Sequence, residues 1–563
     1  MKVIIVGGVA GGATAAARIR RLNEHAEITV FERSGYISYA NCGLPYYIGD
    51  VITDPEELTL QTPESFFKRF RINMKIHHEV ISIHPECKTV SVKNLENGEI
   101  FEENYDKLIL SPGAKPTQPR LPGVGIDKIF TLRTVEDTFR IKEYINKNHP
   151  KSAVLAGGGF IGLELAENLR ELGMDVTIVQ RPKQLMNPFD PDMASMIHNE
   201  MRKHGIKLVL GYTVEGFKEK DNGVEVLLKD NPSLQADMVV LAIGVTPDTV
   251  LAKEAGLELG IKESIVVNDR METSVPDIYA AGDAVQVKHY VTGNDALISL
   301  AGPANKQGRI IADNICGGDS RYLGSQGSSV IKVFDMTAAT TGINETNAKK
   351  SGLEVDTVIL SPMSHAGYYP GGKVMTMKVV FEKETYRLLG AQIIGYEGVD
   401  KRIDVLATAI HAGLNATQLK DLDLAYAPPY SSAKDPVNMA GFMIDNIAKG
   451  TLKQWHLEDM DKISKDKDVV LLDVRTVGEF SMGHIDGFKN IPVDELRERI
   501  SEIEKGKPVY LICQSGLRSY IASRILEGNG YETYNFSGGF RFYDAVVNDR
   551  ALIERAYACG MDY

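Results

Sequence analysis

Short apolar runs, each closed by a glycine-bearing turn, dominate the first half of the chain. Residues 2–6 (KVIIV) predict a strand, GGVAGG at 7–12 a turn, and ATAAARIRRL an alanine-rich helix. The strand ITVFE follows and ends at Glu32. The same order returns in AVLAGGGFIGLELAENLREL and the strand VTIVQ. Two openings of one design predict two Rossmann-like dinucleotide-binding domains in an α/β protein. LILSPGA (108–114), VVLAIGVTPD (239–248) and TSVPDIYAAGDA (273–284) read as further strands running into glycine turns. Over 326–447 the pattern changes to alternating segments such as KVMTMKVVFEK, with a helix at KRIDVLATAIHAG. An α+β domain without a nucleotide motif is expected there. Residues 448–461 hold the one tryptophan and read as a linker. DVVLLDVR then opens a last unit, 462–563, large enough to fold as a small α/β domain.

Composition narrows the class. At 563 residues the chain has room for roughly three to five domains. Apolar residues at 43% and charged ones at 25% are the balance of soluble globular proteins, so disorder across the whole chain is excluded. Lys and Arg number 63 against 75 Asp and Glu, a net charge of −12. No global field favours nucleic acid or an anionic membrane, so any anionic ligand must be held by local groups. There is no apolar run of membrane-spanning length, and the N-terminus carries a strand and turn rather than a secretory leader. Five cysteines (42, 87, 316, 513, 559) are few, odd in number and widely spaced. They read as thiols of a reduced, cytoplasmic compartment. No metal is expected.

A G-x-G-x-x-G turn removes side chains so that N–H groups at a helix N-terminus can approach a pyrophosphate. The second copy is complete at Gly157, Gly159 and Gly162. The first runs Gly7, Val9, Gly12, with valine at the middle position. Glu32, 20 residues after Gly12, lies where an acid holds an adenosine ribose. The second site has Gln180 and Arg181 there, with no carboxylate to repel a 2′-phosphate and a guanidinium able to pair with one. NADPH, or use of both nicotinamide cofactors, is expected; the alternative is that Arg181 simply faces solvent.

Cys42 sits in SYANCGLPYYIGD, with no second cysteine in the next ten residues, so an intramolecular CxxxxC disulfide is excluded. A single cysteine beside a flavin can instead attack a substrate sulfur and form a mixed disulfide. Its glycine, asparagine and aromatic flanks argue for an exposed turn rather than a core position. Thr14, Arg18 and Arg21 share one face of the first helix, while Arg20 points elsewhere. That stripe suits a thiol carrying phosphates, or is simply a solvated charged face.

With these motifs in hand, residues 1–447 resemble the single-cysteine pyridine nucleotide–disulfide oxidoreductases of the coenzyme A disulfide reductase type. The resemblance rests on IVGGVAGGATAAARIRRL, SYANCGLPYYIGD, LILSPGA, IYAAGDA, SHAGYYPGG, GVDKRIDVLATA and AYAPPYSSAKDPVN. It implies FAD bound across 1–113 and 246–325, and NAD(P)H bound by 114–245. It also implies that 326–447 forms a homodimer. The implied cofactor residues are Gly7, Gly8, Ala10, Gly11, Gly12, Glu32, Arg33, Ser111, Gly113 and Asp283 around the first turn. Around the second they are Gly157, Gly159, Phe160, Ile161, Gly162, Glu164, Arg181 and Gly244. Thr14, Arg18, Arg21, Ser38, Asn41 and Lys434 fall where the family holds coenzyme A. Tyr368 and Tyr426 match two tyrosines that the other subunit brings to the site.

Residues 462–563 resemble a rhodanese domain, on LLDVRTVGEFSMGHIDGFKNIP and YLICQSGLRSYIASRIL. The loop from Cys513 to Arg518 can aim successive N–H groups at one sulfur. Helix N-terminus and Arg518 together would favour a persulfide anion on Cys513. The fusion implies an FAD-dependent NAD(P)H reductase of coenzyme A persulfide, polysulfide or coenzyme A disulfide. Cys42 would be its redox centre, Tyr368 and Tyr426 its hydrogen-bond donors, and Cys513 its sulfur carrier. Two alternatives stand beside it: an NADH oxidase or peroxidase using a Cys42 sulfenic acid, and a persulfide carrier or sensor.

Overall fold

Apolar strands flanked by glycine turns become parallel sheets covered on both faces, which is why residues such as Val3, Ile4 and Ile5 are fully buried. The computed structural model describes residues 1–59, 61–220 and 223–558. It forms two units, one of 1–182 with 205–327 and the other of 183–204 with the chain from 328 onward.

The first unit holds two five-stranded sheets. One runs in the order Ile278–Ala280, Lys107–Leu110, Lys2–Val6, Glu27–Phe31, Asn73–Lys75, all parallel. The other runs Lys207–Leu210, Asp175–Gln180, Ser152–Ala156, Met238–Leu241, Ile129–Thr131, again all parallel. In each, the strand before the glycine turn is central. A ligand at that turn therefore sits over the carboxyl ends of the strands.

The second unit contains an antiparallel five-stranded sheet, in the order Ser329–Val333, Met336–Gly342, Leu388–Gly395, Met375–Glu382, Val355–Leu360. A parallel five-stranded sheet follows, in the order Gln454–Trp455, Thr533–Phe536, Val509–Ile512, Val470–Asp473, Lys489–Asn490.

Two features depart from the sequence reading. The segment 448–461 is not a free linker: Gln454–Trp455 is the edge strand of the last sheet. Trp455 is only 2% exposed, and its indole N–H donates to the Leu511 carbonyl at 3.3 Å. The second departure is the segment 183–204, which lies within a nucleotide domain by sequence order but packs with the second unit. Besides its buried apolar side chains, charge ties it there. Asp190 and Asp192 meet the Lys378 ammonium at 3.2 and 2.7 Å, and Glu345 joins at 2.8 Å. Burial opposes the charge of Lys378, but the three carboxylates outweigh it and hold the ammonium above its ordinary value. Further along, on the helix Pro191–Lys203, His198 and Arg202 bind Asp549 of the helix Gly539–Ala558.

Cys42, Cys87, Cys316 and Cys513 are free thiols, and Cys559 lies outside the described residues. No helix among the described residues is long and apolar enough to cross a membrane.

Candidate functional site

The two glycine turns are built alike. Gly7 (φ +95°) and Gly157 (φ +119°) turn the chain out of their strands in the left-handed region that favours glycine. Gly12 and Gly162 let each helix approach its turn, since an added Cβ would lie about 2 Å from the carbonyl oxygen of Gly7 or Gly157. Both helices start at a residue whose side chain caps nothing, Val9 and Gly159, so the first-turn N–H groups are left for a ligand. Val9 has φ −103° and Gly159 φ −91°, so neither position needs the left-handed φ that favours glycine. The residues present fit a dinucleotide at each turn.

The strand ends also correspond. Glu32 accepts the Gly8 N–H at 2.8 Å, and Gln180 accepts the Gly158 N–H at 3.1 Å. Burial pushes the Glu32 carboxyl up, partly offset by N–H bonds from Gly8 and Ser34. Arg181 is exposed, while Arg33 pairs with Asp248 at 2.9 Å.

Cys42 lies in the single helical turn Asn41–Gly43, just ahead of the helix Leu44–Ile48. It is exposed, as its flanks predict. Desolvation in its turn pushes the thiol up, Glu164 and Asp283 push it further, and Arg133 pulls it down. Glu164, on the helix that opens the second nucleotide turn, is itself raised to about 7 by burial and by Glu167. Asp283 is held by the Arg133 guanidinium at 2.6 Å. Arg133 is the functional candidate that the sequence reading missed in this unit. Its nearest signal is the capping box that follows, Thr134 with Asp137.

The coenzyme A candidates are placed unevenly. Arg18 donates to Asp313 at 2.8 Å, whereas Arg21 is exposed with no ion pair among the described residues. Arg20 is buried on the carbonyls of Phe70 and Arg71. Ser38 takes a left-handed φ of +46° and donates its N–H to the Gly8 carbonyl, tying the cysteine loop to the first turn. In the second unit Lys434 is exposed. Tyr368 and Tyr426 are 75% and 45% exposed, with their hydroxyls 2.7 Å apart.

Cys513 leaves the strand Val509–Ile512 and is fully buried. Its Sγ accepts the Gly516 N–H at 3.1 Å and faces the Ser519 hydroxyl at 3.2 Å. Gly516, at φ +96°, turns the loop into the helix Leu517–Glu527. Phe540 and Arg541 donate their N–H groups to the Cys513 and Gln514 carbonyls, bracing the loop. Arg518 is at the loop as expected, but both ends of its guanidinium donate to Glu479, at 2.7 Å each. Glu479 is the second residue missed.

Comparison with known proteins agrees with this geometry. Residues 1–308 match the pyridine nucleotide-disulphide oxidoreductase model. Residues 328–436 match the dimerisation domain of that family, and 456–545 a rhodanese-like domain. The coenzyme A disulfide reductase of Staphylococcus aureus (strain JH9) is 38% identical over 442 residues, covering 78% of this chain and 99% of that protein. Reduced CoADR-RHD from Bacillus anthracis superposes with a TM-score of 0.95 at 48% identity, over 98% of both chains. A NAD-dependent persulfide reductase from A. fulgidus gives 0.90 at 38% identity, covering 96% of this chain and all of that one.

Proposed function

The chain belongs to the pyridine nucleotide-disulphide oxidoreductase family, and on that premise we propose that it is an FAD-dependent NAD(P)H reductase of coenzyme A persulfide, polysulfide or coenzyme A disulfide. It acts as a homodimer through residues 328–436 and carries a rhodanese sulfur-transfer domain. The observation that carries this reading is the exposed Cys42 turn, in one unit with both dinucleotide turns and within electrostatic reach of Glu164 and the Arg133–Asp283 pair. The similar proteins from S. aureus and A. fulgidus, by name a coenzyme A disulfide reductase and a persulfide reductase, support the substrate class. Free thiols at all four described cysteines support a reducing, cytoplasmic setting.

The first turn with Glu32 would hold FAD, and the second with Gln180 and Arg181 would hold NAD(P)H. Bound together, the two cofactors supply the two electrons that cleave a sulfur–sulfur bond. The chain's own part is nucleophilic. Ionised Cys42 attacks the coenzyme A sulfur of the persulfide, the S–S bond breaks, and hydrosulfide leaves with the electron pair. Two electrons and a proton then split the Cys42–coenzyme A mixed disulfide, returning the Cys42 thiolate and the coenzyme A thiol. Arg133 is the cation that offsets Glu164 and Asp283 around the thiolate. Arg21, Ser38 and Asn41 present charge and hydrogen-bonding groups to a phosphorylated thiol. Tyr426 and Tyr368 give a proton or hydrogen bond to the leaving sulfur.

The test compares steady-state NAD(P)H oxidation by wild type and Cys42→Ser on coenzyme A persulfide, coenzyme A disulfide, polysulfide and oxygen. Loss of turnover on every sulfur substrate, with FAD retained, is the expected result. More than a few per cent of wild-type turnover on coenzyme A persulfide would refute the assignment.

A further inference from the structure

Two arginines of the last domain are each matched by a carboxylate, and one of them, Arg518, lies within electrostatic reach of Cys513. Arg475 grips Asp473 through Nε at 2.9 Å and Nη2 at 2.7 Å, with its guanidinium 3.8 Å from the Phe540 ring centroid. Arg518 forms a two-point pair with Glu479 at 2.7 Å on each side. Glu479 is anchored as well, because its Oε2 accepts both the N–H and the hydroxyl of Thr476 at 2.9 Å. Pairing with Glu479 thus offsets much of the Arg518 charge near the sulfur, beside the Gly516 N–H and a helix N-terminus worth roughly half a charge.

We propose that Glu479 is a positioning residue that sets donor specificity at Cys513. By neutralising Arg518, it makes the loop favour an organic persulfide, whose other charges lie far from the reacting sulfur, over thiosulfate. The proposal rests on reading Cys513 as the sulfur carrier. Thiosulfate places a sulfonate one bond from the sulfur under attack, so its second negative charge must enter the same ring of donors. Coenzyme A persulfide brings at most the persulfide charge there. Hydrogen bonding from Arg518 also holds the Glu479 carboxyl down, to about 2, so it stays ionised across the working range.

The transfer itself is redox-neutral with either donor. Ionised Cys513 attacks the outer sulfur, the donor S–S bond breaks, and the electron pair leaves on coenzyme A thiolate or on sulfite. The Cys513 persulfide then gives its outer sulfur to cyanide, forming thiocyanate and restoring the Cys513 thiolate.

The experiment measures thiocyanate formation by the full-length chain with Cys42→Ser, from thiosulfate or coenzyme A persulfide, after subtracting the enzyme-free rate. Adding Glu479→Gln is expected to lower the thiosulfate KM and to raise the thiosulfate-to-persulfide ratio of kcat/KM by about tenfold, the worth of one partly screened charge. The gain should shrink in 1 M salt. Glu479→Asp, which keeps the charge, should restore the wild-type ratio. Arg518→Gln, which leaves the carboxylate uncompensated, should move the ratio toward persulfide and serves if Glu479→Gln does not fold. A ratio unchanged in both charge-removing variants, or kcat falling equally for both donors, overturns the proposal. Thiocyanate formation that persists in the Cys42→Ser/Cys513→Ser double variant overturns the carrier reading instead.

Discussion

The hydroxyls of Tyr368 and Tyr426 lie 2.7 Å apart on two rings that are both open to solvent. That bond holds the Tyr426 phenol above its ordinary value, so Tyr426 stays protonated. It can offer a leaving thiolate a hydrogen bond. If the pair serves the partner subunit's cysteine, mixing Cys42→Ser subunits with Tyr426→Phe subunits should create heterodimers with one intact site. Recovered NAD(P)H oxidation after subunit exchange, verified by native mass spectrometry, is the expected outcome; none after verified exchange rejects a shared site.

After desolvation, Glu164 is the next contributor to the raised Cys42 thiol. It titrates at about 7, so its charge opposes the Cys42 thiolate above neutrality and fades below it. Glu164→Gln should speed alkylation of Cys42 at pH 8 by about three- to tenfold, from a thiol shift of roughly half to one unit, and change it little at pH 6. Iodoacetamide labelling followed on the Cys42 peptide reads this directly. Equal rates at pH 8 would remove Glu164 from the picture.

Gln180 keeps the hydrogen bond that Glu32 makes in the first turn while discarding the charge. Arg181→Ala should therefore raise the KM for NADPH and leave that for NADH nearly unchanged. Gln180→Glu should penalise NADPH selectively, by about 1.5–3 kcal/mol before solvent screening reduces it. Parallel changes for both cofactors would exclude the 2′-phosphate from this end of the strand.

The join to the last domain should be pH-dependent. Burial opposes the His456 charge, yet Asp356, 3.1 Å away, outweighs it and holds the imidazole above its ordinary 6.5. Burial likewise lifts Asp356, and the bond from His456 outweighs it, leaving the carboxyl below its ordinary 3.8. The histidine's share of stability is complete below about pH 6.5 and disappears as pH rises through its raised native value. The aspartate's share is present above about pH 4 and disappears as pH falls through its lowered one. The pair is thus strongest between roughly pH 4 and 6.5. Asp356→Asn should cost about 2–4 °C more in Tm at pH 6 than at pH 8.5 by differential scanning calorimetry, taking the charge as worth about 1 kcal/mol. A pH-independent loss would mean that the bonds to Gln454 and Thr357 carry the whole effect.

What could be read from the sequence was local. A strand, two glycines and an acid 20 residues on suffice for the first nucleotide turn, because every group involved is close in the chain. The exposed turn at Cys42 was legible for the same reason. Valine at position 9 was legible as a departure, and its negative φ shows that the position does not require glycine's left-handed conformation. Arg133 and Glu479 were not legible. Their roles come from Asp283 and Arg518, which lie 150 and 39 residues away. Residues 448–461 read as a linker because a two-residue edge strand leaves no periodic signature, and the place of Trp455 is set by its pairing with Thr533–Phe536. The segment 183–204 has an ordinary amphipathic pattern. Only the buried ammonium of Lys378 reveals which unit its acids belong to.

That same segment imposes a timetable on synthesis. The helix Pro191–Lys203 emerges from the ribosome early, but Lys378 follows Asp192 by 186 residues and Asp549 follows His198 by 351. At roughly 5–20 residues per second, the helix waits on the order of 10–40 s for its ammonium and 20–70 s for its last carboxylate. Once residues 205–327 have emerged, the nucleotide-binding unit has its own strands on both sides of the gap while Met193, Ala194, Ile197 and Met201 still wait for the rest of the second unit. Until then the nascent chain would carry an amphipathic segment outside an otherwise folding domain, open to a chaperone or a protease.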